Sequence, residues 1–391
     1  MILSITVYVL FAALLIWGGK FAGFKDTEFY EDSFSLDVTK SLRGIAAFGI
    51  ILHHIAQNEL FQQTETLFLF RDAGVLFVSI FFFCSGFGLI KSMQSKPDYF
   101  NGFIKKRIVK TLVIPFYISV ALYAVFWLAI GQKFEPLEWV CNLTGISLIN
   151  ENAWYPVTAA ILYLMFYLLF KKGTHQKLSY ILMALFILAL GVLFCFRGHS
   201  VWWMGERTQW WQQDKMFWFS GEWWVNTCPA FFIGMIFGRY ETNIRTWFMR
   251  GYWFKLIPLL VLTVYAAGVN AAGQTAFGYW SEYMRPGPGI TDKLLTYLCQ
   301  IPYCMLFCVS IFVVMFKYHS VNPVTRFFGN MSLETYLMNY MAIVGCSIIL
   351  LRQHTELYRA LYTAAVVAAT ILLGLLFKLL CNCVMRKKTI H

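Results

Sequence analysis

The chain is dominated by apolar runs of about 20 residues, the length of α-helix that crosses the hydrocarbon core of a bilayer. Hydrophobic residues make up 59% of the 391 residues and charged residues only 13%. Soluble proteins carry about 25% charged residues, so this chain has too few charges to cover a soluble surface of its size. The sequence therefore predicts an all-α fold, a polytopic bundle of membrane helices.

The apolar runs predict eleven transmembrane helices. They cover residues 2–19, 41–59, 73–91, 109–130, 154–170, 178–196, 224–239, 254–273, 292–316, 331–350 and 360–380. Lys and Arg are concentrated in every second connection between these helices. Because basic loops stay in the cytoplasm, this alternation predicts a multi-pass protein of the cell membrane with its N-terminus outside and its C-terminus cytoplasmic. The same rule accounts for the net charge of +12 without a nucleic-acid partner.

The second predicted helix contains the clearest set of ionisable residues, Arg43, His53 and His54, in the segment 41–57. Such residues are costly inside a membrane and therefore mark candidate functional sites. The spacing of Arg43 and His54 places them on one helical face, about 16 Å apart along the axis, whereas His53 points about 80° away. This combination favours a functional site. The alternative is an arginine that reaches the headgroups and histidines that only hydrogen-bond between helices.

Other polar residues lie near or inside later helices. As i,i+3 neighbours in an α-helix, Arg107 and Lys110 would share a face that suits a phosphorylated ligand. The simpler alternative is that these basic residues only mark the cytoplasmic end of the membrane helix. Glu334 in the tenth predicted helix needs a basic partner on another helix, and Asn339 does not share its face. Ser85 is a weaker candidate for orienting a substrate, because its glycine-rich segment also suits close helix packing.

The connection between residues 197 and 223 is rich in tryptophan. It would line the membrane interface or form a platform on which sugar rings or a lipid-linked acceptor stack. The 10 cysteines show no spacing typical of a metal site, and we predict no metal.

Five short motifs, in order along the chain, resemble those of the membrane acyltransferase-3 family of integral-membrane O-acyltransferases. They are Ser41-Leu42-Arg43-Gly44 with His54, Phe81-Phe82-Phe83 with Ser85-Gly86-Phe87, Arg107-x-x-Lys110, Trp154-Tyr155, and Ser332-x-Glu334-x-Tyr336-Leu337. Two positions depart from the family pattern. Lys110 stands where the second basic residue is an arginine, and Asn339 stands where the tenth-helix motif usually ends in histidine.

The resemblance implies a ten-helix acyltransferase domain at residues 40–391, after an extra N-terminal transmembrane helix and cytoplasmic linker at residues 1–39, with no separate soluble domain. It implies transfer of an acyl group, most often acetyl, from cytoplasmic acetyl-CoA or another acyl-CoA to a hydroxyl of a cell-surface carbohydrate or lipid-linked glycan. The implied catalytic residues are His54, Arg43 and Glu334. The implied cofactor-binding residues are Arg43, Arg107 and Lys110, and the other candidates for substrate contact are Ser85, Trp154, Tyr155, Tyr336 and Asn339. His54 would act as general base or carry the acyl group briefly.

A transporter or flippase of an envelope glycan precursor is the main alternative, because buried Arg, His and Glu also suit proton relays and substrate pathways. Transporters often contain internal repeats, and the two halves of this sequence show none. A third interpretation is a pseudoenzyme that only scaffolds an envelope-polymer complex. The sequence makes no prediction about the oligomeric state.

Overall fold

A computed structural model describes residues 2–62, 64–173, 176–197, 223–277, 290–350 and 355–387. In chain order the elements are α1 (Ile2–Ile16), β1 (Gly19–Phe21), α2 (Leu36–Ala56), α3 (Glu59–Gln62), α4 (Phe68–Arg71), α5 (Gly74–Ser95), a π-helical segment (Ile104–Val113), α6 (Ile114–Ala129), α7 (Pro136–Thr144), a 3₁₀ turn (Glu151–Ala153), α8 (Trp154–Phe170), α9 (Gln176–Arg197), α10 (Trp223–Met249), α11 (Tyr252–Ala276), α12 (Ile290–Val314), β2 (Tyr318–Ser320), α13 (Pro323–Asn330), α14 (Ser332–Leu350) and α15 (Glu356–Lys387).

Within the described residues, seven helices are long and apolar enough to cross a membrane. They are Gly74–Ser95, Ile104–Ala129, Glu151–Phe170, Tyr252–Ala276, Leu294–Val314, Ser332–Leu350 and Glu356–Met385. Each coincides with one of the predicted spans, and the other four predicted spans lie on α1, α2, α9 and α10. The predicted all-α membrane bundle is therefore confirmed, and the count of eleven spans stays a prediction.

Some predicted helix boundaries are wrong. The first helix ends at Ile16 because the following residues turn into β1, which pairs antiparallel with β2. α2 begins at Leu36 rather than at residue 41, since the Ser35 side chain caps it by accepting a hydrogen bond from the Val38 amide. The seventh helix was predicted over residues 224–239, but α10 continues to Met249, with Pro229 inside it and a non-helical residue at Tyr240.

Two glycines bring α5 and α10 into backbone contact. A Cβ atom on Gly86 would lie 2.0 Å from the Phe231 carbonyl oxygen, and one on Gly234 would lie 2.1 Å from the Phe83 carbonyl oxygen. Only glycine allows helices to approach this closely. A Cβ atom on Gly88, by contrast, would have no neighbouring heavy atom within 4 Å. The close packing predicted for this segment is thus located at Gly86.

The N-terminal helix is joined to the bundle by the β1–β2 pair and by a buried lysine. The Lys317 side chain is only 1% exposed. Its Nζ donates to the carbonyl oxygens of Gly23, Lys25 and Glu28 at 2.9, 2.6 and 3.0 Å. Nζ also lies 5.1 Å from the ring centroid of Tyr252, a cation–π contact. These contacts fix the linker after β1 to the end of α12.

Candidate active site

Two small residues fix α2 against α13. The Ser41 hydroxyl oxygen lies 2.6 Å from the Ser320 carbonyl oxygen and 2.6 Å from the Thr325 hydroxyl oxygen. A Cβ atom on Gly44 would lie 1.8 Å from the Thr325 carbonyl oxygen, so glycine is required there. Because Ser41 and Gly44 occupy the side of α2 that meets α13, Arg43 is left half-buried on a different side.

His54 lies in the last turn of α2, where the buried side-chain amide of Asn339 in α14 contacts it. Its Nδ1 lies 2.7 Å from Asn339 Oδ1. Asn339 Nδ2 donates to Thr370 Oγ1 at 3.1 Å, and both of these residues are 0% exposed. Since an amide oxygen only accepts hydrogen bonds, His54 Nδ1 carries the proton and the unprotonated Nε2 can accept one. His54 therefore faces the protein core formed by α14 and α15 rather than lipid.

His53 contacts different neighbours, in keeping with its predicted direction. Its Nδ1 lies 2.9 Å from the Phe70 carbonyl oxygen. A Cβ atom on Gly74 would lie 2.3 Å from His53 Nε2, so the imidazole packs onto the start of α5. The ring centroids of His53 and His54 are 5.1 Å apart. The two adjacent histidines are thus attached to separate parts of the bundle.

Arg43 lies in a polar cluster formed by α2, α5 and α8. Tyr155 interacts through its hydroxyl with Ser85 and electrostatically with Arg43. Arg43 also interacts electrostatically with Cys84, the residue before Ser85 in α5. The structure therefore brings together three residues that the sequence singled out in three separate motifs.

Aromatic contacts connect this cluster to α14, the helix whose Asn339 contacts His54. The ring centroids of Tyr155 and Tyr336 are 5.7 Å apart. Tyr336 precedes Asn339 by about one turn of α14. Trp154 is buried and its ring centroid lies 6.4 Å from that of Phe82, which makes it a packing residue beside the cluster. Ring contact thus links Tyr155 to the turn of α14 that precedes Asn339.

The prediction that Arg107 and Lys110 share a helical face is wrong. Residues Ile104–Val113 form a π-helix of 10 residues. Its i→i+5 hydrogen bonds put more residues in each turn than in an α-helix, so the i,i+3 rule for neighbours does not apply. Arg107 is half-buried with its guanidinium carbon 5.9 Å from the Tyr99 ring centroid, whereas Lys110 is exposed.

Lys106, rather than Lys110, lines the same cavity as Arg107. Both line a cavity of about 520 Å³ at the end of α5, together with a third cation, Lys96, and a carboxylate, Asp98. Burial raises the pKa of Tyr99 in this cavity, and the Arg107 cation opposes that shift. A cavity with three cations against one carboxylate carries net positive charge and suits a ligand that bears phosphate groups. We call it the basic cavity.

Glu334 belongs to a different part of α14. It interacts electrostatically with Lys378 and Cys381 of α15. The Lys378 ammonium donates to the Asn330 carbonyl oxygen at 2.7 Å rather than forming an ion pair with Glu334, so the expected basic partner of Glu334 stays a prediction. Asn339 lies about 7.5 Å farther along the helix axis and reaches Thr370, higher on α15. The structure therefore separates Glu334 from the His54 contacts.

One member of the His54 arrangement was missed in the sequence. Thr370 is one of two threonines in an apolar helix, and nothing in its local pattern distinguishes it from a threonine that packs between helices. The tryptophan-rich connection proposed as a sugar platform lies almost entirely outside the described residues.

The comparison with protein families gives one match. The acyltransferase-3 family model, described as an acyltransferase domain, matches residues 36–378. This range begins at the first residue of α2 and extends to Lys378 in α15, so it contains every candidate site residue named above. No curated protein and no solved structure matches the chain.

Proposed function

Because the chain belongs to the acyltransferase-3 family, we propose that this multi-pass membrane acyltransferase moves an acetyl group from acetyl-CoA to a hydroxyl of a cell-surface carbohydrate or lipid-linked glycan. The observation that carries the proposal is the chain of contacts from His54 through Asn339 to Thr370. A neutral imidazole whose Nδ1 proton is bound by an amide keeps Nε2 ready to take a hydroxyl proton.

In the proposed reaction, His54 Nε2 takes the proton of the acceptor hydroxyl while the acceptor oxygen attacks the thioester carbonyl carbon. A tetrahedral intermediate forms and then breaks its carbon–sulfur bond. The CoA sulfur leaves as a thiolate and takes the proton back from His54. The products are the O-acyl ester and the CoA thiol. Throughout, the Asn339 carbonyl oxygen accepts from Nδ1–H and stabilises the transient imidazolium.

The donor would bind with its phosphate groups in the basic cavity, against Arg107 and Lys106. Arg43, an electrostatic neighbour of Tyr155, would use its guanidinium to stabilise negative charge on the thioester oxygen. The proposal places the basic cavity in the cytoplasm and the N-terminus outside, with eleven helices across the cell membrane. Glu334 lies about 7.5 Å from Asn339 along the α14 axis and takes no part in the reaction in this scheme.

The test uses isotope-labelled acetyl-CoA, membranes that contain the protein, and two adjacent substitutions. His54→Gln should reduce label transfer to surface glycan by about 100-fold or more, the usual contribution of a general base. His53→Gln is the matched control, because glutamine can still donate to the Phe70 carbonyl, and it should keep most of the activity. Protein yield and elution as a single species establish that both variants fold.

Two results would contradict the proposal. Full label transfer by folded His54→Gln would remove His54 from the chemistry. Absence of label in the glycan of the wild-type strain, combined with loss of glycan export when the gene is deleted, would favour the transporter instead.

A further inference from the structure

We propose that Tyr123, assisted by Asn150, is a positioning residue for His54 and acts through the turn of α14 that carries Asn339. This inference rests on the proposed function, because it assigns the two residues to the orientation of the proposed base. Tyr123 lies in α6 and Asn150 precedes the 3₁₀ turn, and both side chains are 0% exposed. Neither belongs to a motif that the sequence singled out.

The Tyr123 hydroxyl is inserted into the backbone of α14. It donates to the Leu337 carbonyl oxygen at 2.9 Å and accepts from the Met341 amide at 2.8 Å. These are the two groups that pair with each other in a regular α-helix, where each amide donates to the carbonyl four residues earlier. A side chain bonded to both groups can replace this pairing and so set the tilt of the turn. That turn contains Asn339.

Asn150 holds the same turn from the same side. Its Nδ2 donates to the Leu337 carbonyl oxygen at 3.0 Å and to the Ser119 hydroxyl at 2.7 Å. Two residues later, Asn152 Nδ2 donates to the Tyr336 carbonyl oxygen at 3.3 Å. The carbonyl groups just before Asn339 are therefore bound by α6 and by the connection before α8.

On the other side of the turn, Asn339 is bound by His54 and Thr370. The turn is thus fixed between two sets of contacts, and its tilt determines where the Asn339 amide lies. Without the Tyr123 oxygen, the Met341 amide would pair directly with Leu337 and the turn would close. The 2.7 Å contact between Asn339 and His54 would then lengthen, and Nδ1 would lose the partner that selects its protonated form.

This geometry predicts an effect on turnover rather than on donor binding. A displacement of about 1 Å at a reacting group can reduce the rate by about 100-fold. The basic cavity that would bind the donor is lined by other elements, and Tyr123 is absent from its described lining. Loss of the Tyr123 hydroxyl should therefore lower kcat and leave the KM for acetyl-CoA unchanged.

The first test is Tyr123→Phe, which removes one oxygen and keeps the ring that stacks on Tyr340 with 6.5 Å between centroids. The expected result is a 10- to 100-fold lower kcat with unchanged KM, roughly the range for groups that orient a reactive residue. Tyr252→Phe is the matched control. Tyr252 is also buried, at 1% exposed, and donates to a carbonyl at 3.2 Å, but in the α11–α12 pair. Its kcat should stay within about 2-fold of wild type.

The second test measures the His54 tautomer by nitrogen-15 NMR of histidine-labelled protein in lipid nanodiscs, with His54→Gln to assign the signals. Wild-type protein should show protonated Nδ1, and Tyr123→Phe should show a mixture of tautomers or a shifted population. If Tyr123→Phe does not fold, Asn150→Ala tests the same turn.

Normal kcat together with the wild-type tautomer in a folded variant would overturn the positioning role. A changed tautomer in a protein whose wild type transfers no acyl group would instead refute the proposed chemistry and leave the positioning role standing.

Discussion

A single methyl group at Gly44 tests whether the contact between α2 and α13 sets the active site. In Gly44→Ala the new Cβ would lie 1.8 Å from the Thr325 carbonyl oxygen and 2.8 Å from the Gly329 amide nitrogen, whereas ordinary contact begins at 3.4 Å. The two helices must therefore separate by about 1.6 Å at this point. Overpacking of this kind costs about 1–3 kcal/mol. Separation also stretches the Ser41 hydrogen bond, which adds about 1 kcal/mol.

The separation should reduce both stability and rate. We expect the free energy of unfolding of Gly44→Ala to fall by about 2–4 kcal/mol. Because α2 also carries Arg43 and His54, its displacement should lower kcat by about 100-fold. The measurements are denaturation of the purified protein in detergent and transfer of labelled acetyl groups in membranes.

Gly88→Ala is the matched control, since it adds the same methyl to a helix that has nothing within 4 Å of the new atom. This variant should be as stable as wild type, or more stable by up to about 1 kcal/mol from helix propensity. If Gly44→Ala were as stable and as active as Gly88→Ala, the backbone contact between α2 and α13 would not exist as described.

Three further substitutions test other parts of the site. Asn339→Leu should lower kcat about 100-fold without changing the KM for acetyl-CoA, because His54 loses its acceptor; unchanged kcat would contradict that role. Arg107→Ala should raise this KM about 10-fold, whereas the exposed Lys110→Ala should change it less than about 2-fold, and equal effects would argue against the basic cavity. Lys317→Met should lower the free energy of unfolding by about 2 kcal/mol because three carbonyl oxygens lose their donor, and thermal denaturation unaffected by the change would contradict this.

The membrane fold and the polar face of α2 were accessible from sequence because both depend on local patterns. Apolar runs of bilayer length and the spacing of Arg43 and His54 follow from the geometry of one helix. The same argument indicated that Glu334 needs a cation on another helix, but it could not show that the nearby Lys378 binds the Asn330 carbonyl oxygen instead. Local periodicity thus predicts which residues enter the bundle but not which ones meet.

The remaining features depend on contacts between distant parts of the chain. Asn339 stands where the family motif usually has histidine, and only the structure shows that its carbonyl oxygen lies on His54 Nδ1. Tyr123 and Asn150 resemble ordinary residues of a span and a loop until α14 is placed against them. The separation of Arg107 from Lys110 was missed because the hydrogen-bond pattern of a π-helix leaves no trace in apolar periodicity.

The pairing of β1 with β2 has a consequence for biogenesis. The ribosome produces α1 and β1 first, but β1 acquires its partner strand only after roughly 300 more residues have been made, which takes about 15–60 s at usual elongation rates. During that interval the first helix can diffuse in the bilayer beside the nascent chain. Lys317, which binds the carbonyl groups of the linker after β1, has not yet been synthesised. Docking of the amino-terminal helix is therefore a late event in assembly, and a ribosome stalled before codon 317 would leave that helix accessible to proteases.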